Sequence, residues 1–373
     1  MRCGASDEKR DAATGQKNPA FGGPERLIKW PRKVGRCSTV DPRAAHTHAP
    51  GMLATTLPDA AVLVILLLAF LLDAAWGDPS WLYRGLPHPV ALLGRAIEWG
   101  EMRWNHGSVR FLRGLSFALA TVAVAGGLGW AVERFCNGFT GGWVVEAVLA
   151  STLIAFRGLH DRVRAVAAAL DQDLEKARAA VAHIVGRDPA RLDAPGVARA
   201  AAESLAENFS DGVVAPMFWF ALFGLPGLCA YKAVNTLDSM IGHRNPQFER
   251  FGKAAARLDD AVNWVPARLA GLLLVAAAGL LPKASAAGAW RAAWRDASQH
   301  RSPNAGWQEA ALAGALGFAL AGPRDYPDGP IDDAWMGGGR AELNAADLRA
   351  SLRLYLVAGG LIAGLLAAAW LAL

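Results

Sequence analysis

The stretch GVVAPMFWFALFGLPGLCAY, residues 212–231, runs for 20 residues without a charge. At 1.5 Å per residue that length matches the roughly 30 Å hydrocarbon core of a bilayer. Backbone at that depth has no water to bond, so the stretch must be helical if it enters the membrane. Pro216 and Pro226 lie inside it and remove two helix donors, which leaves two courses open. The segment either crosses simply or breaks and returns to the side it came from.

Its flanks are polar on both sides. Before it stands ESLAENFSD (residues 203–211), after it KAVNTLDSMIG (residues 232–242). Glu203, Glu207 and Asp211 recur every four positions, so a helix places them on one face. Like charges at that spacing repel unless a cation sits among them. Oxygen donors of this kind suit Mg²⁺, which takes one or two carboxylates together with substrate phosphates. A solvated acidic face is the plainer reading, but carboxylates abutting an apolar segment favour a site. Lys232, Asn235 and Asp238 sit three apart on one helical side, suited to a phosphate and to a metal or hydroxyl. The plainer reading there is a snorkelling lysine with a polar cap.

Further out, residues 114–132 and 354–373 are also uncharged and long enough to span. Residues 60–72, 269–282 and 310–323 are shorter, and residues 143–156 are interrupted by Glu146. The expectation is an all-α, polytopic integral membrane protein with four to six spans and long helical polar loops. Residues 158–211 read as helices outside the bilayer. Leu159, Val163, Val166, Leu170, Leu174, Ala177, Val181 and Ile184 mark one apolar face, Gly186 a C-cap, and residues 193–195 a restart reaching Phe209. No segment of useful length has strand periodicity, and no repeat is evident. Loops 76–113 and 158–211 carry five and seven Lys/Arg against one in 133–142, which places the first two in the cytoplasm. A simple crossing by 212–231 would then put residues 232–264 outside.

Composition agrees. The 373 residues are 53% hydrophobic and 19% charged, against roughly 25% charged in soluble proteins. The net charge of +5 comes entirely from residues 1–51, with ten Lys/Arg and five Asp/Glu; the remainder balances at 28 of each. Such a distribution excludes a nucleic-acid footprint. Residues 1–51 read either as a disordered basic tail or as an over-extended start with Met52 the initiator, and residues 52–373 as one membrane domain. Cys3, Cys37, Cys136 and Cys229 are scattered and imply neither a disulfide framework nor a zinc site.

Three other polar strings complete the set. Asp73 and Gly77-Asp78-Pro79 close the first apolar segment, followed by His88-Pro89-Val90, where prolines hold the histidine. Arg257, Asp259, Asp260, Asn263 and Arg268 cluster in residues 251–269; no Walker spacing occurs there, so it is not a P-loop. Asn304 opens residues 304–317 behind Pro303, a helix entry suited to an anion.

Together these strings resemble the CobD/CbiB family, the adenosylcobinamide-phosphate synthases. The matching strings are GDP-x8-HPV (77–90), VGRDP (185–189), ESLAENFSDGVVAPMFWF (203–220), YKAVNTLDSMIG (231–242), FGKAAARLDDAVNWVPARL (251–269) and RSPNAGWQEAALAGALG (301–317). His243 and Phe248 stand where tyrosines are expected. The resemblance runs from about Met52 to the C-terminus and implies a bacterial inner-membrane ligase of cobalamin biosynthesis. It would use ATP and Mg²⁺ to join adenosylcobyric acid to aminopropanol or its phosphate through an amide. Mapped on this sequence, Glu203, Glu207, Asp211, Lys232 and Asp238 are expected to be catalytic, with Glu203, Glu207 and Asp211 holding Mg²⁺. Asp78, His88, Asn208, Asn235, Arg257, Asp259, Asp260, Asn263, Arg268 and Asn304 are expected to bind substrates. The alternative is a non-catalytic corrinoid-binding, transport or sensor protein on the same scaffold.

Overall fold

A computed structural model of the chain describes residues 60–77, 85, 87–186, 189–326, 329–331 and 333–373. The expectations placed on residues 1–51 and Asp78 lie outside the described residues, as do residues 187 and 188 of the VGRDP string. All described residues fall in one unit, 55–373.

Thirteen α-helices and four very short strands make up the described chain. In order they are α1 (Ala60–Trp76), α2 (Pro89–Trp104), α3 (Arg110–Cys136), α4 (Gly142–Ser151), α5 (Phe156–Leu170), α6 (Leu174–Val181) and α7 (Ala194–Phe209). A π-helical turn, Ser210–Val214, joins α7 to α8 (Ala215–Ile241). Then come α9 (Lys253–Val262), α10 (Trp264–Gly279), α11 (Ala286–Asp296), α12 (Ala305–Leu316) and α13 (Ala345–Ala372). Strands β1 (Leu320–Ala321) and β4 (Trp335–Met336) pair antiparallel, as do β2 (Arg324–Tyr326) and β3 (Gly329–Ile331). They have only two or three residues each, too few for an alternation to be legible in sequence.

Four helical stretches are long and apolar enough to cross a membrane: Arg110–Cys136, Gly142–Leu170, Ala194–Ile241 and Ala345–Ala372. A fifth is the α9–α10 pair, bent by 47°, and α1 is apolar but shorter. This is an all-α polytopic membrane protein. In lipid, helix association rests on close packing rather than on excluding water. Gly114 and Gly129 of α3 serve this: a Cβ at the first would collide with the backbone of Phe251, at the second with that of Leu225 and Pro226. With Gly126 beside Ala230 and Gly129 beside Leu225, α3 runs antiparallel to the part of α8 that follows Leu225.

Two expectations are corrected and two readings left open are resolved. Residues 310–323 are not a span: α12 stops at Leu316, Gly317 turns left-handed (φ 72°), and Ala310–Ala313 are buried in the protein core. The apolar face of residues 159–184 is not one helix. A turn at residues 171–173 divides α5 from α6, and Asp173 caps α6 by accepting from the Glu175 N–H at 3.3 Å. Nor is Gly186 the C-cap, since α6 ends at Val181 with Ala182 in that place.

Of the two courses open to residues 212–231, the chain takes the second and does not cross simply. Gly224 adopts φ 63°, ψ −154°, a conformation open essentially to glycine alone, and Pro226 follows it. There α8 folds back, and the backbone of Trp219 lies against Gly227. The Tyr231 hydroxyl lies 3.1 Å from the Asp211 carbonyl oxygen. A straight helix would hold those positions about 30 Å apart. The segment is a helical hairpin whose two polar flanks meet at one end. At its tip the Leu225 N–H, freed by the break, donates to Glu133 Oε2 of α3 at 3.0 Å.

The helix frame is tied at α5. Asp73 Oδ2 at the end of α1 accepts from the Phe156 and Arg157 N–H groups at 2.7 and 3.3 Å, capping α5 from 83 residues away. The Tyr355 hydroxyl of α13 donates to the Phe156 carbonyl at 2.8 Å, and its ring stacks on Phe156 at 4.5 Å.

Candidate functional site

The site is built on the π turn. Pro216 has no N–H to give to the Gly212 carbonyl four residues back, and its ring would clash with it. The ladder widens by one residue, so that the Ala215 N–H donates to Ser210 O. The Gly212 carbonyl is thereby released and accepts from the Ala155 N–H at 2.9 Å. Widening changes the helical phase after Ser210, and π turns of this kind recur at functional sites.

Asp211 sits on that turn, within electrostatic reach of Asp259, Glu207 and Lys232. Tyr231 is buried, and its hydroxyl lies 3.0 Å from Asn263 Oδ1 as well as beside Asp211 O. One hydroxyl proton therefore faces two acceptors. Asp259 lies beside Asp238, Asp260, Asn263 and Asn235, and Asp238 beside Asp260 and His243. Arg257 and Arg244 flank Asp260. The hairpin from one side and the α9–α10 bend from the other thus bring Asp211, Lys232, Asn235, Asp238, Asp259, Asp260 and Asn263 together.

Asn304, at the head of α12, closes the rim: its Nδ2 donates to the Asp260 carbonyl at 2.9 Å. The Arg268 guanidinium lies 3.5 Å from Asn304 Oδ1 and stacks over Trp264 and Trp307 at 4.1 and 4.9 Å. Such stacking fixes a planar cation while leaving its donors directed. Three buried polar atoms here lack any hydrogen-bond partner: Ser210 Oγ, Asp259 Oδ1 and Asn263 Nδ2. Buried groups of this kind are rare in proteins and mark places where a ligand or water completes the network.

Other expected residues are placed differently. Glu203 turns away from Asp211, accepting from the Ala321 N–H at 2.9 Å. It lines a cleft of about 280 Å³ with His300, Glu309, Asp333 and Glu207, the last of which also neighbours Asp211. Among the described residues, no three His, Cys, Asp or Glu side chains converge on a metal position. Glu203, Glu207 and Asp211 therefore do not form a three-carboxylate centre: eight helical residues separate the first from the last by about 12 Å. Asn208 bonds back to its own helix, donating to Ser204 O at 2.9 Å. His88 spends both ring nitrogens on the fold, Nδ1 accepting from the Val90 N–H and Nε2 lying 3.1 Å from Thr152 O. Asp78 lies outside the described residues.

Reading the sequence missed Tyr231, counted as the last residue of an apolar run, and Ser210. It also missed His300 and Glu309, 3.7 Å apart in the cleft. Nothing in spacing alone joins these to Glu203.

Comparison with known proteins gives the affiliation. The model of the CobD/Cbib protein family matches residues 66–355. The cobalamin biosynthesis protein CobD of Brucella anthropi is 48% identical over 320 residues, 82% of this chain and 96% of its own length. That of Rhodobacter capsulatus is 48% identical over 316 residues (83% and 98%), and that of Rhizobium meliloti 46% over 323 (84% and 98%). No solved structure matches the chain. With the matched region enclosing both limbs of the hairpin, the α9–α10 bend and the head of α12, the chain belongs to the CobD/CbiB family.

Proposed function

We propose that this protein is an ATP-dependent acid–amine ligase of cobalamin biosynthesis in the bacterial inner membrane. It would convert adenosylcobyric acid to adenosylcobinamide, or its phosphate, by attaching aminopropanol or aminopropanol phosphate through an amide. The observation that carries the reading is the meeting of carboxylates, lysine and amides from four sequence strings at the mouth of one hairpin. Family membership supports the pathway.

The chemistry fits those groups. A carboxylate is a poor acyl donor, so a substrate carboxylate oxygen first takes the γ-phosphoryl group of ATP and ADP departs. The amine nitrogen then attacks the acyl carbon, phosphate leaves, and a carboxylate of the site accepts the ammonium proton. Asp211, Asp238 and Asp259 are placed for that proton. Lys232, Arg257 and the stacked Arg268 supply positive charge for phosphates. Asn235, Asn263 and Asn304 orient substrates, with Asp260 held by Asn304 at its backbone. Asn263 beside Asp259 and Ser210 beside Asp211 bring further donors to the site.

Mg²⁺ suits the donor set in one mode. With Glu203 diverted to Ala321, Asp211 and Glu207 remain near each other. One or two carboxylates plus phosphates is the usual Mg²⁺ environment. Asp211 and Glu207 would hold the ion, which supplies charge neutralisation on the nucleotide.

A ligase assay tests the reading. The detergent-purified chain, full length and started at Met52, is given adenosylcobyric acid, ATP, Mg²⁺ and either amine. A corrinoid heavier by the attached arm, formed with ADP, is expected, and equally from both chains if residues 52–373 carry the function. A folded protein that forms no new corrinoid with either amine would sink the proposal. A broken hairpin is also how secondary transporters build a substrate site. Corrinoid binding without ADP formation would favour that second reading.

A further inference from the structure

The N-terminal end of α3 has features the ligase reading does not use. Arg110 opens the helix, and Val109 before it provides no side-chain cap. Among the described residues no side chain caps the first N–H groups, which carry the positive end of a 27-residue helix. Beside this end runs a groove of about 580 Å³ lined by Arg103, Trp104, His106, Leu112, Arg113, Ser116, Phe117 and Ala120.

The lining is graded along the helix. Arg103, His106 and Arg113 stand at the outer end, where the charged loop meets the uncharged run that begins at Gly114. Ser116, Phe117 and Ala120 continue inward, from about 5 to about 10 Å deeper than Arg113 by helical rise. Leu112 is 59% exposed at the boundary, and Trp104 sits at the rim as interfacial tryptophans do. Phe117 forms the floor, with Trp104 edge-on at 5.3 Å and Phe251 stacked behind at 6.0 Å.

The charges at the mouth are not consumed by the fold. Among the described residues, neither Arg103 nor Arg113 is in an ion pair; Arg113 Nη1 donates to the His106 carbonyl at 2.7 Å, which leaves its charge uncompensated. Glu101, the nearest acid on α2, is turned to Asn105 and Gln247 at 3.0 Å each.

A cationic mouth leading into an apolar channel at the end of a span matches one molecule: an amphiphile with an anionic head and a hydrocarbon tail. We propose that this groove binds an anionic glycerophospholipid of the bilayer. Its phosphate lies against Arg103, Arg113 and the α3 N-terminus, and one acyl chain runs along Ser116, Phe117 and Ala120. Charge complementarity selects the anionic lipid over a zwitterionic one, whose choline would face the arginines. Because Phe117 also packs in the cluster with Leu237 and Ile241 of α8, the lipid would brace the limb that carries Asp238.

Native mass spectrometry of the detergent-purified full chain tests this, with phosphatidylglycerol and phosphatidylcholine of identical acyl chains in competition. Phosphatidylglycerol is expected to be retained preferentially, and Arg103→Gln and Arg113→Gln to weaken its retention about fivefold each. Equal retention of the two lipids, or undiminished phosphatidylglycerol binding in the double variant, overturns the proposal. Displacement of the lipid by millimolar inorganic phosphate would also overturn it, by showing an anion site with no use for the acyl chain. Should the double variant not fold, tryptophan quenching by brominated lipids decides. Brominated phosphatidylglycerol is expected to quench more than brominated phosphatidylcholine, with the excess lost in Trp104→Phe. No excess in the wild type overturns the proposal.

Discussion

The hydroxyl of Tyr231 lies 3.1 Å from the carbonyl oxygen of Asp211, although twenty residues separate them. That single approach makes the apolar segment between them a hairpin and turns its two flanks into one site. Tyr231→Phe removes the buried hydroxyl that joins the hairpin limbs to Asn263. It is expected to destabilise the protein by about 1–3 kcal/mol, the cost of leaving buried acceptors unsatisfied, and to lower turnover. Thermal unfolding in detergent beside a ligase assay reads both.

Pro216→Ala restores the missing N–H. The new donor should recapture the Gly212 carbonyl, close the π turn and rotate Asp211 away from Asp259. Turnover should fall with little loss of stability, and the Ala155 amide should exchange faster with solvent. An unchanged Ala155 exchange rate would show that the proline does not hold the turn open.

At the hairpin tip, Gly224→Ala forces a Cβ into a left-handed conformation and against the Glu133 carboxylate. Strain of this kind costs roughly 1–3 kcal/mol before the clash is counted. Glu133→Ala leaves the Leu225 N–H without its acceptor, at about 1–3 kcal/mol. Both variants should unfold at lower temperature, and a near-normal melting temperature in either would argue against the folded-back tip.

Glu207→Gln and Lys232→Ala are each expected to abolish turnover while leaving membrane insertion intact. Wild-type activity in either would remove that residue from the site. Asp211→Asn should raise the Mg²⁺ concentration needed for half-maximal activity about tenfold or more, equivalent to roughly 1.4 kcal/mol. Titration of the ligase assay with Mg²⁺ after chelation measures it, and an unaltered requirement would place the ion elsewhere.

Much of this was legible in the residues. Charge-free runs located α3, the hairpin and α13, because hydrocarbon demands length and apolarity together. Pro216 and Pro226 announced that residues 212–231 need not cross simply. What sequence could not supply was direction: periodicity states which face a residue occupies, not which element covers that face. Hence Glu203 and Asp211, predicted on one face, part company once Ala321 claims the first and the π turn rotates the second. Likewise α12 has the composition of a membrane helix, yet other helices cover it. His88 carried a residue type associated with chemistry but serves as a cap.

The grip on the start of α5 bears on how the molecule is assembled. Asp73 comes from the first described helix and Tyr355 from the last, and both close on Phe156. During synthesis α5 emerges with its first clasp already waiting but its second nearly 200 residues in the future. The bundle is therefore provisional until α13 inserts, at which point the first and last described helices lock the same residue. Severing the chain anywhere between these helices should leave two fragments that recover the fold only when made together.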